Sequence, residues 1–123
     1  MEALTVSLET AKKLKAAGFP QIGLDRVWTT SASGAAAGRF TLHYVPNTGE
    51  DYAAPTAQEI ADQLPRKIED EQEEAFFLYI VARSTGNWEV GYSHIEAEEY
   101  PLHDTDGDTM AEALAALWLK LNG

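Results

Sequence analysis

The chain is 123 residues long, 45% hydrophobic and 24% charged, with a formal net charge of −11 and no cysteine. That length and balance fit a single domain over residues 1–123 and exclude intrinsic disorder. The lack of thiols excludes disulfides, cysteine nucleophiles and cysteine-ligated zinc or iron–sulfur groups.

The charge is lopsided. Residues 1–68 hold seven acids and seven bases, whereas residues 69–123 hold thirteen acids against Arg83 and Lys120 alone. Phosphate contacts need clustered Lys and Arg, so direct binding to nucleic acid is not expected. No run approaches the roughly 18 apolar residues of a membrane span. Met1-Glu2-Ala3-Leu4 lacks the basic start of a signal peptide, so the expected location is the cytoplasm, without membrane contact.

Ser7–Ala17 reads as a helix, with Leu8, Ala11 and Leu14 on one stripe and Gly18 at the left-handed position that ends it. Lys12, Lys13 and Lys15 sit near its C-terminal end, where the helix dipole favours cations. Leu24–Thr30 and Arg39–Val45 are β-rich, and Ser31–Gly38 joins them as the long tip of a first hairpin. Pro46-Asn47-Thr48-Gly49 is a turn.

Thr56 and Glu59 form a capping box for a second helix, whose stripe is Ala57, Ile60, Ala61 and Leu64 and whose stop is Pro65. Glu69–Glu74 reads as an acidic linker. Phe76–Ala82 and Trp88–Ile95 form a second hairpin that turns through Ser84-Thr85-Gly86-Asn87. Thr109 and Glu112 make a second capping box for a C-terminal helix striped by Met110, Ala113, Leu114, Leu117, Trp118 and Leu121. The expected fold class is α+β, a four-stranded, mainly antiparallel sheet in two hairpins with three helices, in the order α-β-β-α-β-β-α.

With a four-residue turn, Arg83 opposes Trp88. Phe77, Tyr79, Val81 and Arg83 then share a face with Trp88, Val90, Tyr92 and His94, and the small or aliphatic opposite face beds the helices. Tyr, Trp and Arg dominate binding hot spots. The candidate protein-interaction residues are therefore Phe77, Tyr79, Arg83, Trp88, Tyr92 and His94.

No chemistry stands out. Asp104-Thr105-Asp106-Gly107-Asp108 resembles the start of a calcium loop, but Gly107 is fourth rather than sixth and Ala115 occupies the position of the bidentate Glu. A turn into the Thr109 cap accounts for the same residues. His43, His94 and His103 form no metal-ligating pair by spacing. Ser31 and Ser33 lie in no nucleophile elbow, and Gly34 and Gly38 precede no phosphate-loop Lys-Ser/Thr. The expectation is no catalytic residue, no metal, no cofactor and no enzyme.

Three stretches belong together: Ala54-Pro55-Thr56-Ala57-Gln58-Glu59-Ile60 with Leu64-Pro65, the Phe77–Val81 strand with Trp88-Glu89-Val90, and Met110–Leu119 (MAEALAALWL). Over roughly residues 54–121 the combination resembles small uncharacterised phage and prophage proteins. The resemblance implies a mobile-element accessory protein inside a bacterial cell and supplies no catalytic residues. The expected function is binding of a protein partner, or self-association as a homo-oligomer, through the aromatic sheet face. Two alternatives remain: an acidic nucleic-acid mimic acting as a decoy on a host protein, and a small enzyme or ligand-binding protein.

Overall fold

A computed structural model describes residues 5–21, 27–30, 40–43, 51–69, 75–93 and 102–122. The expected loop 31–38, the turn 46–49, most of the acidic linker and His94 lie outside these residues.

Helix α1 spans Leu8–Ala16 and has both ends satisfied by local chemistry. The Ser7 hydroxyl accepts from the Thr10 N–H at 3.2 Å as N-cap. At the other end Gly18 takes φ +93°. Its N–H donates to the Lys15 carbonyl at 3.1 Å, and the Phe19 N–H donates back to Leu14 at 2.9 Å. This pair of bonds is the Schellman closure, and the positive φ explains why glycine stands there.

Two antiparallel sheets follow. The first contains β1 (Val27–Thr30), β2 (Phe40–His43) and β3 (Asp51–Ala53) in the order β2-β1-β3. The second contains β4 (Lys67–Glu69), β5 (Ala75–Ala82), β6 (Trp88–Ser93) and β7 (Leu102–Gly107) in the order β4-β5-β6-β7. The mixed α+β class, the three helices and both hairpins stand as the sequence predicts. The hairpins belong to separate sheets, and β3, β4 and β7 are strands that periodicity did not mark.

Helix α2 (Ala57–Asp62) carries the expected capping box in full: the Glu59 N–H donates to Thr56 Oγ1 at 3.2 Å, and the Thr56 N–H donates to Glu59 Oε1 at 2.9 Å. Leu64 falls beyond the helix yet stays buried. Helix α3 (Met110–Asn122) packs over β7 and β6 and also meets α1 and α2, so it is buried well beyond one stripe. Ala111, Ala113, Leu114, Ala115, Leu117 and Trp118 are all core residues. Each of the fully buried leucines Leu114 and Leu117 contributes about 1.5–3 kcal/mol. Trp118 stacks edge-on against Phe19, with ring centroids 4.9 Å apart, and so ties the segment after α1 to α3.

The capping box expected at α3 is half formed. The Glu112 N–H donates to Thr109 Oγ1 at 3.1 Å. The Glu112 carboxylate, however, turns to the start of α1, where it accepts from the Ser7 N–H at 2.9 Å and the Thr10 hydroxyl at 2.6 Å. A negative charge at that helix N-terminus suits its dipole as well as its free donors.

The second hairpin departs from the expected register by one residue. Ala82 pairs with Trp88, Ile80 with Val90, and Leu78 with Tyr92. The turn explains it. The Arg83 carbonyl accepts from the Gly86 N–H at 3.0 Å, while the Arg83 N–H donates to the Asn87 carbonyl at 2.8 Å. Gly86 is left-handed at φ +93°. This is a three-residue loop with a glycine bulge, not a four-residue turn, so Asn87 rather than Trp88 opposes Arg83. Because side chains alternate with period two, that single step moves the whole β6 set to the other face.

Candidate interaction surface

The shifted register divides the six predicted interaction residues. Phe77, Tyr79 and Arg83 lie on the outer face of β5, in the same rows as Ser93 and Gly91. Trp88 and Tyr92 lie on the inner face against the core. Tyr92 is fully buried, and its hydroxyl donates to the Pro65 carbonyl at 2.7 Å. Burial pushes its phenol up to about 12. Trp88 is half-buried beside the same cluster. The six residues therefore do not form one exposed aromatic face: Tyr92 is core, and His94 is outside the described residues.

The outer face has a different composition. Beside Phe77, Tyr79, Val81 and Arg83, it carries Glu89, Gly91 and Ser93 from β6, with Asp104 and Asp106 from β7. Glu89 sits opposite Asp106 in the ladder, a like-charge pair that weakens a sheet unless offset. Two contacts of Glu89 supply the offset. The Tyr79 hydroxyl donates to Glu89 Oε2 at 2.5 Å, and the Arg83 guanidinium pairs with Glu89 Oε1. Burial raises the Tyr79 pKa, and Asp104 and Asp106 raise it further against the opposing pull of Arg83. Gly91 is required here, because a Cβ would meet the Asp104 Cα at 2.9 Å and the Tyr79 ring at 3.2 Å.

Beyond Phe77, one margin of β5 has no neighbouring strand among the described residues. β4 covers β5 only from Ala75 to Phe77, and the Leu78 N–H still donates to the Arg66 carbonyl at 3.0 Å. The bonds at Leu78 and Arg83 fix the alternation: Tyr79, Val81 and Arg83 direct backbone groups to β6, whereas Ile80 and Ala82 direct theirs outward. The same stretch is apolar and open to solvent, with Phe77 at 39%, Ile80 at 39% and Val81 at 46% exposure. α3 lies over β6 and β7, so the end of β5 overhangs the core on both faces. Ile80, Val81 and Glu89 were not among the predicted residues. Gly86 in the loop R-S-T-G is the sequence signal for Glu89, because it sets the register of β6.

Two other regions were candidates for chemistry. Asp104 and Asp106 project outward from a strand, with exposed Asp108 after it, and Thr105 faces α3, its hydroxyl donating to the Ala113 carbonyl at 2.9 Å. The Asp106-Gly107 turn expected from sequence is thus the end of β7. Among the described residues no three His, Asp or Glu side chains converge as a metal site. An open cleft of ≈ 470 Å³ lies between Thr5, Trp28, Thr109 and Glu112. Thr5 Oγ1 is buried there without a hydrogen-bond partner among the described residues. The Glu112 carboxylate is engaged by Ser7 and Thr10, and the Trp28 indole N–H donates to the Val6 carbonyl at 3.0 Å. The polar groups around the cleft thus bond mainly to one another.

No helix among the described residues is long and apolar enough to cross a membrane. No family model matches the chain, and no curated protein and no solved structure matches it.

Proposed function

We propose that this chain is a non-enzymatic accessory protein, of the kind its resemblance to small phage and prophage proteins implies, and that it works by protein–protein association through β5. The observation that carries this reading is the coincidence, over Tyr79–Ala82, of outward backbone donors and acceptors with exposed Ile80 and Val81. Exposed strand edges are usually shortened, charged or covered, because they template pairing with another chain. Recognition by strand addition uses those same groups for affinity and the alternate side chains for specificity. The segment also has the right charge for contact: residues 75–88 contain no acid in an otherwise acidic half.

A photo-reactive residue at position 81 tests the reading, with exposed Gln58 on α2 as the control position. Adducts at 81 and none at 58 are expected in producing cells. Absence of adducts at 81 would remove the reading.

A second reading, the acidic decoy, is favoured by the exposed row Asp104, Asp106 and Asp108 on the far side of the same sheet. Capture of a nucleic-acid-binding protein through that row should weaken steeply with added salt. Salt-independent capture would count against it.

A further inference from the structure

We propose that the partner of this edge is a second copy of the chain, paired antiparallel through Tyr79–Arg83 so that two four-stranded sheets become one. The inference rests on the association reading above and names its occupant.

The backbone dictates the register. Only Ile80 and Ala82 present outward groups in this stretch, and Leu78 is already held by Arg66. An antiparallel ladder that uses both free residues on both chains places Ile80 opposite the second copy's Ala82, with Val81 opposite the second copy's Val81. Any other two-fold register wastes one of these residues or requires the occupied Leu78. The fit in length is equally specific. The opening along β5 begins where Arg66 stops covering it, and the incoming strand ends at Arg83, where its own turn begins. The contact is isologous and closes as a dimer without leaving the same edge open.

The side chains follow the same symmetry. On the outer face, the second copy's Arg83 comes opposite Tyr79, whose surroundings hold Glu89, Asp104 and Asp106. A cation is therefore delivered to an acidic field and to an aromatic ring, and the exchange is reciprocal. On the inner face, Ile80 meets Ala82 and both lose their exposure. Two copies of charge −11 repel at long range. The acid-free segment 75–88, carrying Arg83 as its one charge, is where they can approach.

Light scattering on wild type, Val81→Lys and Val81→Glu, alone and mixed, tests the proposal. Val81 is exposed, and circular dichroism checks that both variants keep the fold. The expected mass is twice 13.5 kDa for wild type and 13.5 kDa for each variant alone, since like charges then face each other across the two-fold. Mixing the Lys and Glu variants should restore the double mass. A wild-type protein that stays at single mass into the millimolar range would overturn the proposal, and so would a dimer indifferent to both substitutions. A single-mass protein that still crosslinks a foreign protein from position 81 would sink self-pairing and leave the association reading standing. A single-mass protein without such adducts would sink both.

Discussion

Replacing Glu112 by Ala should loosen α1 from α3, because one carboxylate joins their N-termini. Its two oxygens accept from the Ser7 N–H at 2.9 Å and the Thr10 hydroxyl at 2.6 Å. Hydrogen bonds to a charged acceptor are worth about 1.5–3 kcal/mol each when shielded from water. Ser7 is exposed and Glu112 only partly buried, so solvent screening brings each bond to about 1 kcal/mol. The Ala variant regains a few tenths of a kcal/mol of helix propensity, leaving a net loss of about 1.5 kcal/mol. For a chain of this size that lowers Tm by about 5–7 °C. Urea denaturation of wild type, Glu112→Ala, Thr10→Val and the double variant measures it directly. A coupling energy of about 1 kcal/mol between Thr10 and Glu112 is expected from residues in direct contact. Additive effects, or a Glu112→Ala loss under about 0.5 kcal/mol, would show that the carboxylate does not hold the two helices together.

Gly107→Ala should cost about 3 kcal/mol, seen as a fall in the urea midpoint. Its Cβ would come within 2.8 Å of Ala113 Cα in the backbone of α3, which cannot yield as a side chain would. Gly86→Ala should cost about 1 kcal/mol in the same assay, through the left-handed backbone alone, since nothing lies within 4 Å of the added methyl. Tyr92→Phe should lose about 1 kcal/mol at neutral pH with the bond to Pro65. The Tyr92 phenol, raised from 10.0 to about 12, favours the folded state fully below pH 10, and that contribution fades as pH climbs through 12. The wild-type advantage over Tyr92→Phe should therefore shrink between those two values, as stability curves on either side of pH 10 would show.

The elements with local chemical signatures were legible in the sequence. Ser7 and Gly18 bracket α1, the Thr56–Glu59 box opens α2, and the apolar run from Met110 identifies α3. What escaped depends on partners distant in sequence. β4 and β7 are held by their neighbours: Glu69, the last residue of β4, reads from sequence as the start of an acidic linker, and Asp106-Gly107, the end of β7, as a turn into the Thr109 cap. Glu112 looked like the back half of a capping box, and only the approach of α1 redirects its carboxylate. The candidate site failed on one residue of turn length. Gly86 belongs to a three-residue loop with a glycine bulge, and counting Asn87 into the turn sent Trp88 and Tyr92 to the wrong face. The outward half of that prediction, Phe77, Tyr79 and Arg83, stands on the outer face. The neighbouring Ile80 and Val81 emerge as candidates only from the overhang of β5 beyond β4 and α3.

Residue-resolved amide hydrogen exchange across a concentration series tests most directly whether β5 pairs with its own copy. Tyr79, Val81 and Arg83 donate into β6 and should be protected at every concentration. Ile80 and Ala82 should exchange freely in dilute protein and approach the protection of Val81 as concentration rises. Rapid exchange of Ile80 and Ala82 at all concentrations, or protection that alternates the other way along β5, would contradict the account.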